Sequence, residues 1–170
     1  MKGVRPMMEI RPLEPGDDFL TVGRVYERSW KHSYRSILPQ AFLDRLTPER
    51  FSSALRAEPE KTLVLYEDGV PAGACTMAYS RTREDCGEIV SLYLLPERMA
   101  RGYGRLLMEN AMERFRQDGC ETVCLWVFDG NETAMRFYER LGFSLTGCEQ
   151  MESYAGENVK MLEMMRRIVL

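Results

Sequence analysis

The stretch Glu88-Ile89-Val90-Ser91-Leu92-Tyr93-Leu94-Leu95-Pro96-Glu97-Arg98-Met99-Ala100-Arg101-Gly102-Tyr103-Gly104 decides how this chain folds. Its first half is aliphatic and β-branched over the length of a strand, and Pro96, which cannot donate to a ladder, ends it. From Gly104 the period changes: Leu107, Met108, Ala111, Met112 and Phe115 form one helical stripe, closed by Gly119. A strand therefore leads through a glycine-containing loop into a helix. That order presents unpaired main-chain N–H groups at the positive end of a helix dipole, where anions bind. Gly102 and Gly104 let the backbone approach a phosphate, and Arg101 and Arg105 add charge beside it. On these residues alone an anion site and a simple turn both fit. A nucleotide P-loop is excluded because no Gly-Lys-Ser/Thr follows, and Leu107 stands where a dinucleotide fingerprint needs its last glycine.

Working outward, residues 8–11 alternate like a short strand, and Asp17 and Asp18 then open a helix with Phe19, Val22, Tyr26 and Trp30 on one face. Pro39 begins a second helical pattern, restarted at Thr47-Pro48, which predicts two short helices or one kinked helix. Residues 62–66 and 71–79 read as an antiparallel pair around the Asp68-Gly69 hairpin signal. Residues 122–128 are continuously apolar, as a strand covered on both faces would be. A helix carrying Ala134, Phe137, Tyr138 and Leu141 follows Asn131, and residues 143–151 and 159–165 read as two last strands around a polar loop. The order predicts a mixed α/β sheet with helices on its faces.

At 170 residues with 45% hydrophobic side chains, the chain can bury the core of one domain. Residues 1–7 read as a loose extension ahead of a single domain over residues 8–170. A net charge of -3 provides none of the positive field that nucleic acid requires, so no such partner is expected. Five cysteines without a C-x-x-C pair accompany one histidine, His32, so neither a metal site nor a disulfide framework is expected. Cys75 and Cys124 read as small buried hydrophobes. No run reaches membrane-spanning length, and Glu9 and Arg11 interrupt any leader, so a cytoplasmic protein with no membrane partner is expected.

Residues 88–104 closely resemble the acetyl-CoA-binding segment of the GNAT superfamily of N-acetyltransferases, with its Gln/Arg-x-x-Gly-x-Gly/Ala loop. Asn131-Glu132-Thr133-Ala134-Met135-Arg136-Phe137-Tyr138-Glu139-Arg140-Leu141-Gly142-Phe143 resembles that family's later N-x-x-A-x-x-F-Y-x-x-x-G-F helix. The likeness covers residues 66–143 well, and both ends by element order only. It implies a mostly antiparallel sheet of six to seven strands with helices on both faces, in which strands 88–95 and 121–128 are central, parallel and splayed. It also implies acetyl-CoA as co-substrate and no metal. The pyrophosphate would lie on Met99, Ala100, Arg101, Gly102, Tyr103, Gly104 and Arg105, and Asn131, well suited as an N-cap, would also touch the cofactor. Main-chain groups of Leu92, Tyr93 and Leu94 would pair with the pantetheine arm, one N–H polarising the thioester carbonyl. Met99 replaces the family's usual Gln or Arg, which should lower affinity modestly while the N–H groups of residues 99–104 still bind.

Acyl transfer to an amine needs a base for the amine and an acid for the departing thiolate. Period two puts Glu88 on one strand face with Val90, Leu92 and Leu94, and an apolar face raises a carboxylate's pKa. The resemblance makes Glu88 the general base, often through water, and Tyr138 the general acid. The residues alone also allow a solvent-facing Glu88 and a core-packed Tyr138. On the acceptor side, Trp30, His32, Tyr34 and Arg35 lie in a polar break between early helices, and Tyr79 and Tyr154 end strands that border the same cleft. Trp30, Tyr34, Tyr79 and Tyr154 are the substrate candidates. The acidic balance suits a cationic primary amine: a polyamine, another small amine, or a peptide or protein amine. A homodimer is compatible with the family. The alternative to an N-acetyltransferase is a non-catalytic CoA-binding sensor or interaction module, and a longer acyl donor also fits.

Overall fold

The computed structural model describes residues 6–168. Its elements, in order, are β1 (Met8–Pro12), α1 (Phe19–Ser33), α2 (Gln40–Leu43), α3 (Pro48–Ala57), β2 (Thr62–Glu67), β3 (Val70–Tyr79) and β4 (Cys86–Leu94). They continue with α4 (Tyr103–Gln117), β5 (Thr122–Phe128), α5 (Glu132–Arg140), β6 (Ser144–Tyr154) and β7 (Glu157–Arg167). The local reasons are those of capping and turn chemistry. The Asp18 carboxylate accepts from the N–H groups of Leu20 and Thr21, both at 3.1 Å, and starts α1. Asp68 and Gly69, at φ 50° and 79°, make the two-residue turn between β2 and β3. The helical pattern after Pro39 resolves into two helices, α2 and α3, and Thr47 occupies the N-cap of α3 without a side-chain bond.

Seven strands form one sheet in the order β1-β2-β3-β4-β5-β7-β6. Every neighbouring pair is antiparallel except β4 and β5, which run parallel from Cys86↔Thr122 to Ile89↔Leu125. The last two strands are longer than their apolar patterns predict. They close on Ala155 and Gly156, at φ 51° and 86°, so the expected polar loop is a tight hairpin. Of the expected loose extension, residues 1–5 lie outside the described residues. Met7 is tied down, its N–H donating to Asp68 Oδ1 at 2.8 Å.

The sheet is packed on both faces. Leu107, Met108 and Phe115 of α4 bury against Leu63, Leu65, Ile89 and Leu125, and α5 joins this layer through Phe137 and through Leu141 just past its end. On the other face Phe19, Val22 and Tyr26 of α1 and Leu55 of α3 cover Val64, Tyr66 and Ala74. Leu38, Leu43, Leu46 and Phe128 make a third cluster where α2 meets the end of β5. Cys75, Cys86, Cys120 and Cys124 are buried, and burial pushes the Cys75 thiol up to about 12, as expected for a small core hydrophobe.

β4 departs from the alternation read along it. Thr76 pairs with Ser91 and the next residue, Met77, with Ile89, which leaves Val90 as an extra, 54% exposed residue. This β-bulge reverses which side chains face which layer. Ile89, Leu92 and Leu94 pack towards α4, whereas Tyr93 packs beneath α1. Glu88 is thus not on the face of Leu92 and Leu94; it lies on the opposite one.

Phe115, 1% exposed, is the largest fully buried side chain of α4. Phe115→Ala is expected to cost about 3–5 kcal/mol of unfolding free energy through lost transfer and a residual cavity, read from the denaturant midpoint at constant slope.

Candidate active site

Beyond Ile89 and Leu125 the parallel pair separates, and among the described residues no strand lies beside β4 on its β5 side from Val90 to Leu94. Main-chain groups on that side are left without ladder partners in the middle of a sheet, a position where a ligand can supply them. The gap also opens a window through the sheet. Tyr138 sits on α5, which belongs to the α4 layer, yet it borders the same cavity as Trp30 and Tyr34 of the α1 side. Glu88, turned to that side by the bulge, and Asn131 border it too. The cavity measures about 250 Å³.

Its wall is aromatic. Tyr34 stands edge-on to Trp30, to Phe128 and to Tyr93, with ring centroids 5.0, 4.8 and 6.4 Å apart. Tyr154 continues it, 5.6 Å from Phe128 and 6.3 Å from Trp30. Such contacts hold rings rigidly while presenting faces and edges to a ligand. The Tyr154 hydroxyl donates to Glu152 at 2.6 Å, so a second carboxylate borders the cavity with Glu88. Of the substrate candidates, Trp30, Tyr34 and Tyr154 come together here and Tyr79 does not. Tyr79 pairs with Gly87 at the other end of β4, packs its ring 5.9 Å from Phe115 of α4 and donates to Asp118. It lies on the wrong face of the sheet. His32 and Arg35 form an exposed contact with each other, 3.3 Å apart.

Desolvation raises the Glu88 carboxyl above its ordinary range; nearby Glu163 acts in the same direction and Arg81 opposes both. Glu163 is itself 2% exposed on β7, held by Arg83, one bond being 2.9 Å, and by Thr146 at 2.7 Å. Burial raises the Tyr138 phenol above its usual value, so it is protonated at neutral pH, and among the described residues its hydroxyl has no hydrogen-bond partner. Leu92 and Leu94 turn their side chains into the core, as expected, leaving their main chain to the gap.

At the C-terminal end of β4 the chain makes a 3₁₀ turn (Pro96–Arg98) and then a loop into α4. Ala100 at φ 58° and Gly102 at φ 82° are both left-handed, a pattern that turns successive N–H groups into one concavity. From Ala100 to Arg105 no main-chain N–H has a backbone partner among the described residues. Met99 is different: its N–H bonds Pro96 O at 3.3 Å, so the available donors begin one residue later than the sequence suggests. Gly104 also serves packing, since a Cβ there would meet the Phe137 ring at 3.3 Å. Asn131 caps α5, its Oδ1 accepting from Ala134 N–H at 3.2 Å, and reaches the cavity as well. Arg105 is committed to Glu109 at 2.6 Å, and Arg101 lies 3.6 Å from Glu67.

Sequence reasoning passed over Glu152, whose solvent-facing alternation on a terminal strand carries no signal. It also passed over Glu67, which reads as the opening of a turn. The period-two rule along residues 63, 65 and 67 would have put Glu67 on the face of α4.

The family model described as the Acetyltransferase (GNAT) family matches residues 25–143, and the chain belongs to that family. An uncharacterised N-acetyltransferase of Archaeoglobus fulgidus is 33% identical over 138 residues, 77% of this chain and 89% of that protein. The uncharacterised N-acetyltransferase YuaI of Bacillus subtilis is 27% identical over 127 residues, 72% of this chain and 73% of its own. The solved structure of PaiA N-acetyltransferase from Thermoplasma acidophilum in complex with coenzyme A shares the fold. Its TM-score is 0.79 at 21% identity, over 95% of this chain and 99% of that one. The mixed sheet and its one parallel, splayed pair are those the sequence resemblance implied. Among the described residues no helix is long and apolar enough to cross a membrane.

The raised carboxyl of Glu88 has a consequence for stability. A carboxylate whose pKa is higher folded than unfolded holds more protons in the folded state, so it opposes folding as pH rises through that window. Glu88→Gln should therefore stabilise the fold near neutral pH, with the gain vanishing below the unfolded carboxyl range, in thermal melts taken from acid to neutral pH.

Proposed function

We propose that this cleft transfers an acetyl group from acetyl-CoA directly to the nitrogen of a cationic primary amine. The observation that supports the reading is the β4–β5 gap, where Glu88 and Tyr138 border one cavity and β4 main chain is left unpaired, with the free N–H groups of residues 100–105 following on the same strand's exit into α4. The donor supplies an activated thioester. The N–H groups of residues 100–105 would hold its diphosphate, and the free edge of β4 at Leu92, Tyr93 and Leu94 its amide-bearing arm.

Glu88, carboxylate with a raised pKa, takes the proton that the attacking ammonium must lose, directly or through one water. Tyr138, protonated and without a hydrogen-bond partner among the described residues, gives a proton to the departing sulfur and regains one when the nitrogen, now bonded to the acyl carbon, loses its second proton. The nitrogen–carbon bond forms, the carbon–sulfur bond breaks, and an amide and a free thiol are left. Glu88 and Glu152 supply negative charge and Trp30, Tyr34 and Tyr154 supply ring edges and faces, an enclosure suited to an ammonium group. That lining favours a polyamine, other small amine or basic peptide amine over an acidic acceptor.

Thiol release against a panel of primary amines, with acetyl-CoA as donor, should give one thiol per acetylated amine. Glu88→Gln and Tyr138→Phe should each lower kcat by roughly 10²–10⁴-fold. Wild-type turnover in both variants would refute these roles. Calorimetric binding of acetyl-CoA with no thiol released from any amine would instead identify a non-catalytic sensor.

A further inference from the structure

Two carboxylates are buried among the described residues, Glu163 close to Glu88 and Glu67 well away from the acceptor cavity. Glu67, at the end of β2, is 8% exposed, and the alternation of Leu63, Leu65 and Glu67 points it at the α4 layer. A carboxylate there is tolerated only if it is fully paired. Its partners lie within residues 98–103, where the loop after β4 enters α4. The Tyr103 hydroxyl donates to Oε1 at 2.5 Å, Arg98 Nε contacts Oε2, and Arg101 Nη1 stands 3.6 Å from Oε1. The hydrogen bond to Glu67 is the chief cause that raises the Tyr103 phenol above its ordinary value. On the opposite flank Glu97 is clamped by Arg28 of α1 at 2.8 and 3.0 Å. Between these anchors lies Ala100, in a left-handed conformation that a residue with a Cβ adopts only when its surroundings impose it.

We propose that Glu67 is the positioning residue of the diphosphate loop, holding Arg98, Arg101 and the start of α4 so that the free N–H groups of residues 100–105 converge on one anion. The inference rests on the reading that this loop takes the diphosphate of acyl-CoA. Glu67 touches no reacting atom. It acts through the two arginines, which it keeps from collapsing onto other carboxylates, and through Tyr103, the first residue of α4. It also offsets part of the loop's own positive charge, so the loop is ordered before the ligand arrives and less is lost on binding.

The test compares two donors in steady state: acetyl-CoA, and S-acetylpantetheine, which carries the same thioester arm without phosphate. Glu67→Gln, which keeps shape and removes charge, should raise KM for acetyl-CoA about tenfold, the effect of one lost charge-assisted hydrogen bond, with kcat within about twofold. With S-acetylpantetheine it should behave as wild type. Glu67→Asp should recover part of the loss, and Tyr103→Phe, which removes one bond and no charge, should show the same split at about threefold. Equal losses with both donors would show a merely structural role and overturn the proposal. So would an unchanged or lowered KM for acetyl-CoA in Glu67→Gln, and if that variant does not fold, Tyr103→Phe decides by the same split. Wild-type protein that uses both donors with the same KM would overturn the underlying reading of the loop instead.

Discussion

The parallel pairing of β4 with β5 stops at Ile89 and Leu125, and the rest of the molecule is arranged around the opening this leaves. A sheet interior is normally closed by its own ladder, so strand edges released in its middle must be covered by side chains, a helix or a ligand. Here the α4 layer covers one side and the aromatic wall the other, and the space between them remains available. The bulge at Val90 belongs to the same construction. It lets Leu92 and Leu94 stay in the core while Glu88, two turns of the pleat earlier, faces the opposite way.

Charge follows the same division. On the acceptor side two carboxylates, Glu88 and Glu152, border the cavity, with Glu163 buried close behind Glu88. Towards the loop the sign inverts, with free N–H groups, the dipole of α4 and the arginines gathered around Glu67. On the proposed function, a cationic acceptor and an anionic donor would approach from opposite electrostatic environments.

Most of this architecture was legible in the sequence because each element carried its own punctuation: Asp18 and Asn131 as caps, Asp68-Gly69 as a hairpin turn, and the change of period at Gly104. The residue pairs that define the site were less so. Period two misplaced Glu88 because it assumes uninterrupted alternation, and one additional residue in a ladder leaves no compositional trace. Tyr79 ends a strand just as Tyr154 does, and only the direction of β3 within the sheet separates them. Glu67 was hidden by its neighbours, since a polar residue next to Asp-Gly satisfies the expectations of a turn. Local rules recovered elements; long-range pairing decided which side chains share a space.

The aromatic wall has a bearing on how the protein is made. Trp30 belongs to the first helix and Tyr154 to the last hairpin, and their contact closes a loop spanning most of the chain. Closing so long a loop is slow, and elements emerging from the ribosome fold in the order they appear. The loop between β4 and α4, and the Glu67 and Arg28 that anchor it, all precede β5 in the chain, so this segment can take shape on a nascent chain before Tyr154 has completed the aromatic wall.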